Sequence, residues 1–211
     1  DEVMADFAKY VLPNLLQVAT GVTAKGGKYF DKLDREKEAE GKAKVRRDNA
    51  ADQSLNTHLL NGLFPANLIE RRLVQLDTTA RRVVGEVERR LVVAGFILHD
   101  FEKFPDVLGN CRKLAIEEHR QIIDKKVRQL GLDKFINPNQ PEAYQEYIDD
   151  LLCMAYNAQR RWDTNWNFSE FGLNPVLRDR TLRCLSELTC LADSLASIIK
   201  HPQDAEGYKF K

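Results

Sequence analysis

No apolar run in this 211-residue chain approaches the roughly 18 residues that a membrane-spanning helix needs, and no signal peptide is legible, so no membrane partner is expected. Charge of one sign is also missing from the whole. The 32 Lys/Arg balance 32 Asp/Glu, which leaves no global field to recruit nucleic acid, so any such contact must use local patches. Cysteine is limited to Cys111, Cys153, Cys184 and Cys190 with no CxxC pair, which reads as free thiols in a reducing cytoplasm. Strand signals are nearly absent, and so are internal repeats and low-complexity tracts. Histidine is scarce, with only His58, His99, His119 and His201. The chain starts at Asp1 without an initiator Met, which reads as a piece of a larger protein.

Helical periodicity fills the space that strands do not. Apolar positions recur at helical spacing from about Val3 to Val18, with Gly21 as a stop, and again from about Ala51 to Leu63 and from Asn67 to Leu76. A long element capped by Thr78 or Thr79 is predicted to run to Phe104, where Pro105 ends it. Helices follow from about Cys111 to Leu130, closed by Gly131, and through Leu151, Leu152, Ala155 and Tyr156. The last is opened by Pro175 and carries Leu182, Leu185, Leu188, Ala192, Leu195 and Ile199 on one stripe. The expected architecture is a single all-α bundle of about seven helices over residues 1–211. Residues 51–200 form its core, and 24–50 form a charged loop or extension. Residues 25–47 hold nine Lys/Arg against five Asp/Glu, which is read as a solvated segment, with a basic arm for nucleic acid as the alternative.

The most informative stretch is Val92-Val93-Ala94-Gly95-Phe96-Ile97-Leu98, which runs into His99-Asp100 with Lys103 just beyond. Seven apolar or glycine residues in succession mark an element buried on all sides. A carboxylate delivered to the end of such an element is costly unless a cation or an imidazole compensates its desolvation. His58, three residues after Leu55, borders a buried face. His119 shares the stripe of Ile116 and Ile123 and points inward. Asp193 lies on the last helix among Cys190, Ser194, Ala196 and Ser197, small residues that permit close approach. Imidazole with carboxylate suits divalent Mn, Fe, Ni or Zn, and Asp100 has two oxygens with which to bridge two ions. Each of these residues taken alone has a plainer reading: a packed histidine, a surface carboxylate, an ordinary lysine.

Taken together, His58, His99-Asp100 and Asp193 on an all-helical frame resemble the H…HD…D signature of the HD phosphohydrolase superfamily. His99-Asp100-Phe101-Glu102-Lys103-Phe104 is similar to the HD-x-x-K form of CRISPR effector HD domains. With His58-Leu59-Leu60-Asn61-Gly62-Leu63-Phe64, it most resembles the N-terminal HD domain of type I-D effector large subunits, in the Cas-ten group. The resemblance covers most of residues 50–200. It implies a divalent ion (Mn, Mg, Ni or Fe) held by His58, His99, Asp100 and Asp193, with His119 at the position where two-metal members place a further histidine. Residues 120–192 contain no other histidine, a departure that leaves Asn157, Gln159 or Asp150 as substitutes and the count open at one or two ions.

The implied activity is metal-dependent hydrolysis of DNA phosphodiester bonds, on a single-stranded or unwound target, in CRISPR interference. The implied partners are DNA, guide RNA and other effector subunits. Asp100 would hold the metal and orient the attacking water. Lys103, one turn after His99, is expected to meet a phosphate oxygen or to pair with a neighbouring carboxylate. Arg160, Arg161, Trp162 and Trp166, with Phe168, suit a cationic and aromatic groove for single strands, or simply pack a long loop onto the bundle. Arg81, Arg82, Arg89 and Arg90 form a second candidate phosphate surface. Two other functions stay open: hydrolysis of small nucleotides, and a degenerate HD scaffold that binds partner subunits.

Overall fold

The structure is a computed structural model, and it describes residues 2–19, 22, 54–63, 67, 84–107, 114–158 and 172–198. Seven α-helices are bounded within these residues: α1 (Glu2–Asp6), α2 (Leu12–Val18), α3 (Glu86–Leu98), α4 (Ile116–Gln129), α5 (Leu132–Ile136), α6 (Ile148–Ala158) and α7 (Asp179–Ile198). Residues 55–63 are a further helical segment. No strand occurs among the described residues, so the expected all-α bundle is what the chain forms. The stretches 25–47, 68–83 and 159–171 lie outside the described residues. With them go the predicted helix beyond Asn67, Arg81, Arg82, Gln159, and the groove candidates Arg160, Arg161, Trp162, Trp166 and Phe168. No helix of the described residues is long and apolar enough to cross a membrane.

The N-terminal helix forms where its periodicity places it, burying Val3, Phe7, Val11 and Leu15 at four-residue spacing. Phe7–Val11 is wound as a π-turn between α1 and α2. Pro13 accounts for it: proline has no N–H to donate, and its ring clashes with the carbonyl four residues back, so the preceding turn widens.

Helix α3 is the hub, in contact with α1, α4, α5, α6 and α7. That placement explains why its C-terminal half is apolar all round, with Leu91, Val93, Ala94, Phe96, Ile97 and Leu98 all buried. Gly95 permits the approach of α6, since a Cβ there would stand 3.0 Å from Met154. The helix is shorter than the sequence suggests. It starts at Glu86, where the extended Gly85 donates its N–H to the Glu88 carboxylate at 2.9 Å, and it stops at Leu98. The Phe96 carbonyl receives both the His99 N–H (3.3 Å) and the His99 ring Nδ1–H (2.5 Å), and Asp100 leaves helical geometry at φ −105°, ψ 27°. Phe101–Lys103 continues as one turn of 3-10 helix rather than as the α-helix expected to reach Phe104.

Other boundaries shift for similar local reasons. Helix α4 begins at Ile116 and not near Cys111, because Ala115 is extended and the Glu118 carboxylate accepts its N–H at 2.8 Å. Gly131 ends the helix in the left-handed region (φ 72°), pressed against the Tyr10 carbonyl, and then starts α5, which the sequence reading missed. Helix α7 begins at Asp179 rather than at Pro175. The buried Asp150 carboxylate accepts the N–H groups of Val176 and Leu177 at 3.0 Å each. Arg120 makes a two-pronged pair with Asp149 (2.9 and 3.0 Å) and donates to the Gly172 carbonyl at 2.6 Å. These bonds tie the segment that leads into α7 to α4 and α6.

Candidate metal centre

Three separate elements deliver the candidate ligands to one point. His58 comes from the helical segment 55–63, His99 and Asp100 from the turn that ends α3, and Asp193 from α7. His58, His99 and Asp100 are all at most 2% exposed, whereas the Asp193 side chain is 30% exposed and forms the open side. The Nε2 atoms of His58 and His99 stand 3.3 Å apart. Asp193 Oδ1 is 3.2 Å from His58 Nε2 and 3.4 Å from His99 Nε2. Asp100 Oδ2 is 3.4 Å from each of the same two nitrogens.

The pattern of donors distinguishes this cluster from an ordinary buried network. His99 is oriented from behind: its Nδ1–H is donated to the Phe96 carbonyl, and the Phe96 ring stacks on it at 4.8 Å with planes 12° apart. That fixes the tautomer and turns the Nε2 lone pair toward Asp100, Asp193 and His58. Two imidazole nitrogens and two carboxylate oxygens therefore face one another, all of them lone-pair atoms unless a proton or a cation joins them. Four donors held around one ion at about 2.0–2.2 Å in a tetrahedral shell stand about 3.3–3.6 Å apart. The three separations among His58 Nε2, His99 Nε2 and Asp193 Oδ1 run from 3.2 to 3.4 Å, and Asp100 Oδ2 adds an atom 3.4 Å from each imidazole nitrogen. His58, His99 and Asp193 each offer a ligand atom within 4.8 Å of the others, a group that could hold a metal ion. The residues present fit the divalent ion that the HD resemblance implies.

Electrostatics follow from this crowding. Burial would push the His99 pKa down, but the carboxylates of Asp100 and Asp193 outweigh it and hold the imidazole above its ordinary value. Burial likewise works against the charge on Asp100, and His99, Lys103 and His58 together keep its carboxyl below the usual range. Burial pushes Asp193 up, and hydrogen bonds and charge from His58 and His99 when those imidazoles are protonated outweigh it and hold the carboxyl well below the usual range.

Lys103 and His119 take places that spacing alone did not determine. Because the α-helix ends at Leu98, Lys103 does not share a helix face with His99. The 3-10 turn brings its Nζ to 2.6 Å from Asp100 Oδ2, an ion pair with a ligand candidate. His119 is buried on α4, as its stripe suggested, with its Nδ1 on the Tyr156 hydroxyl and its ring edge-on to Phe101 at 5.7 Å. It stands outside the converging group. The substitutes considered for a second ion are committed elsewhere: Asp150 to the backbone of Val176 and Leu177, and Asn157 Nδ2 to the Cys153 carbonyl at 2.9 Å.

One further candidate is corrected. Arg90, grouped with the phosphate-binding arginines, is 3% exposed and donates to the Phe135 carbonyl (2.7 Å), Asp6 (2.8 Å) and Glu86 (2.9 Å). It is a tie between α1, α3 and α5. Its place on the buried stripe of Ala94 and Ile97, four and seven residues further along α3, was the signal available in the sequence. Lys126 was missed altogether. It is fully buried on α4, bonded to Asp106 and to Gln129 (2.8 Å), with its Nζ 4.7 Å from the Phe104 ring centre, and it pins the segment after Lys103 to the bundle.

The fold and site define an all-α bundle with a candidate metal centre of imidazole and carboxylate. Comparison of the chain with family models, with curated proteins and with solved structures finds no match.

Proposed function

We propose that this chain is a metal-dependent hydrolase of phosphodiester bonds in DNA. The single observation that carries the reading is the convergence of His58, His99 and Asp193 from three elements, with ligand atoms 3.2–3.4 Å apart and Asp100 Oδ2 3.4 Å from both imidazole nitrogens. The resemblance of His99-Asp100-x-x-Lys103 to CRISPR effector HD domains supports DNA as the substrate and a single-stranded or unwound target as its form. It likewise supports other effector subunits with guide RNA as partners, and the cytoplasm as the compartment.

Within this reading His58, His99, Asp100 and Asp193 hold the ion, and the Phe96 carbonyl and ring hold His99 in the ligating tautomer. A divalent ion bound there supplies a water of lowered pKa and neutralises charge on the phosphate. Asp100 orients the water and takes part of its proton. Lys103, at 30% exposure on the open side, restrains Asp100 and presents its ammonium to a nonbridging phosphate oxygen. Water adds to phosphorus, the P–O bond to the leaving nucleoside breaks, and the proton reaches the leaving oxygen.

The test is to measure bound metal in the purified protein and cleavage of single-stranded DNA with Mn²⁺, Mg²⁺ or Ni²⁺, beside the His99→Ala/Asp100→Ala variant. Stoichiometric metal and cleavage that falls to background in the variant are expected. Cleavage equal in the two proteins would sink the reading. Hydrolysis of free nucleotides without DNA cleavage would replace the substrate. A folded protein that takes up no metal would leave a scaffold module.

A further inference from the structure

The three elements that carry the ligands meet a second time, one turn behind them, at Gly62. This glycine lies four residues after His58, in the last turn of the described helical segment 55–63. A Cβ there would strike Phe96 Cζ, stand 2.6 Å from the Ala192 carbonyl oxygen and 2.9 Å from Phe96 Cε1. Phe96 precedes His99 by one turn and holds it through both its carbonyl and its ring, and Ala192 is the immediate neighbour of Asp193. One of these obstacles is helix backbone, which cannot step aside alone. The other is the aromatic ring that stacks on His99. The cavity beside it, about 20 Å³ between Leu63, Val93, Thr189 and Ala192, admits a water-sized group and not a displaced phenyl.

We infer that Gly62 is a positioning residue for the metal centre: its missing side chain sets the spacing of the His58, His99 and Asp193 elements. The inference rests on the reading of that cluster as a metal site. Any side chain at position 62 must push α7 away or tilt Phe96, and either motion carries a ligand with it. Gly95 provides the contrast. It sits on α3, and a Cβ there has Met154 Cβ, Sδ and Cε as its nearest atoms at 3.0–3.2 Å, tight contacts that a shift of a few tenths of an ångström relieves and that involve no ligand-holding group. The two glycines therefore differ in what lies against them: in one case backbone and the ring that stacks on His99, all closer than 3.0 Å, in the other a methionine side chain at 3.0–3.2 Å.

The experiment compares wild type, Gly62→Ala and Gly95→Ala for Co²⁺ and Mn²⁺ affinity by titration calorimetry and for the visible spectrum of the Co²⁺ form, which reports coordination geometry. Thermal unfolding of each metal-free protein is measured alongside. Gly62→Ala is expected to weaken metal binding at least tenfold and to alter the Co²⁺ spectrum, while Gly95→Ala stays within about threefold of wild type. Equal affinity and an unchanged spectrum in Gly62→Ala would overturn the positioning role while leaving the metal centre standing. Wild type that binds neither metal would overturn the metal reading and this inference with it. If Gly62→Ala does not fold, Gly62→Ala/Phe96→Leu measured against Phe96→Leu decides the matter. With the ring end gone the Ala192 carbonyl still stands 2.6 Å from the added methyl, so the double variant is expected to bind metal several-fold more weakly than Phe96→Leu, and equal affinity would overturn the positioning role.

Discussion

Two buried polar clusters sit at opposite ends of α3, and they are built on different principles. Around Arg90, near the start of the helix, a cationic donor meets the Phe135 carbonyl, Asp6 and Glu86, so donors and acceptors are matched within the chain. Around His99, past the end of the helix, acceptors face acceptors, with Lys103 on Asp100 and shared protons between them. The first arrangement is complete and holds the fold. The second gathers imidazole and carboxylate atoms into a group that could hold a metal ion. Burial alone does not distinguish the two, since Arg90 and His99 are both nearly inaccessible. What separates them is the complementarity of their partners.

The comparison breaks most visibly at Arg90. Arg90→Ala leaves the Phe135 carbonyl and Asp6 without their partner and is expected to cost about 3 kcal/mol or more in urea unfolding. Metal stoichiometry at the other end should not change. A loss well under 1 kcal/mol would place Arg90 among ornamental surface ion pairs and remove the contrast.

Lys103→Ala sharpens the other side. It removes the ammonium that restrains Asp100, and outer partners of ligating carboxylates are typically worth roughly 10- to 100-fold in metal affinity or activity. Unfolding of the variant should stay close to wild type, because Lys103 is partly exposed. Calorimetric metal titration of the two proteins checks this, and unchanged affinity together with unchanged cleavage would leave Lys103 an incidental salt bridge.

The smallest effect is in pH dependence. His99, held above its ordinary value, contributes stability that is fully present below about pH 6.5 and is lost as pH rises through its folded pKa. Asp100 and Asp193, held below theirs, contribute stability present above about pH 4 that is lost as acid titrates their folded values. Metal-free stability should thus peak between those limits, and Asp193→Asn should flatten the alkaline decline. Metal binding needs the imidazoles neutral, so metal affinity should rise over the range in which metal-free stability falls. Urea midpoints and metal titrations across that range test the opposed slopes. Parallel slopes would mean that no metal competes with the proton at this cluster.

Much of this was legible from residue order. The continuous run from Val92 to Leu98 announced an element buried on all sides, and α3 is that element. The His99-Asp100 pair at its end, with His58 and Asp193, named the residues that the fold brings together. Helix ends were less legible, because they depend on single bonds such as His99 Nδ1–H to Phe96 or Asp150 to Val176, which periodicity does not encode. Lys103 was expected either at a phosphate or in an ion pair, and the turn at Asp100 decided for the ion pair in the free protein. Arg90 and Lys126 look solvent-facing by residue type, and only their partners, Asp6 and Asp106, account for their burial.

The sequence by itself determined that this chain is helical, which faces its helices bury, and which few residues carry metal-ligating chemistry. These are local properties, set by the 3.6-residue period and by the cost of burying a charge. Tertiary structure alone decided that His58 and His99, 41 residues apart, would stand 3.3 Å from each other and share Asp193. Distances between elements follow from what packs between them. Here that is a bare glycine against Phe96 and Ala192, a contact that no single stretch of sequence contains.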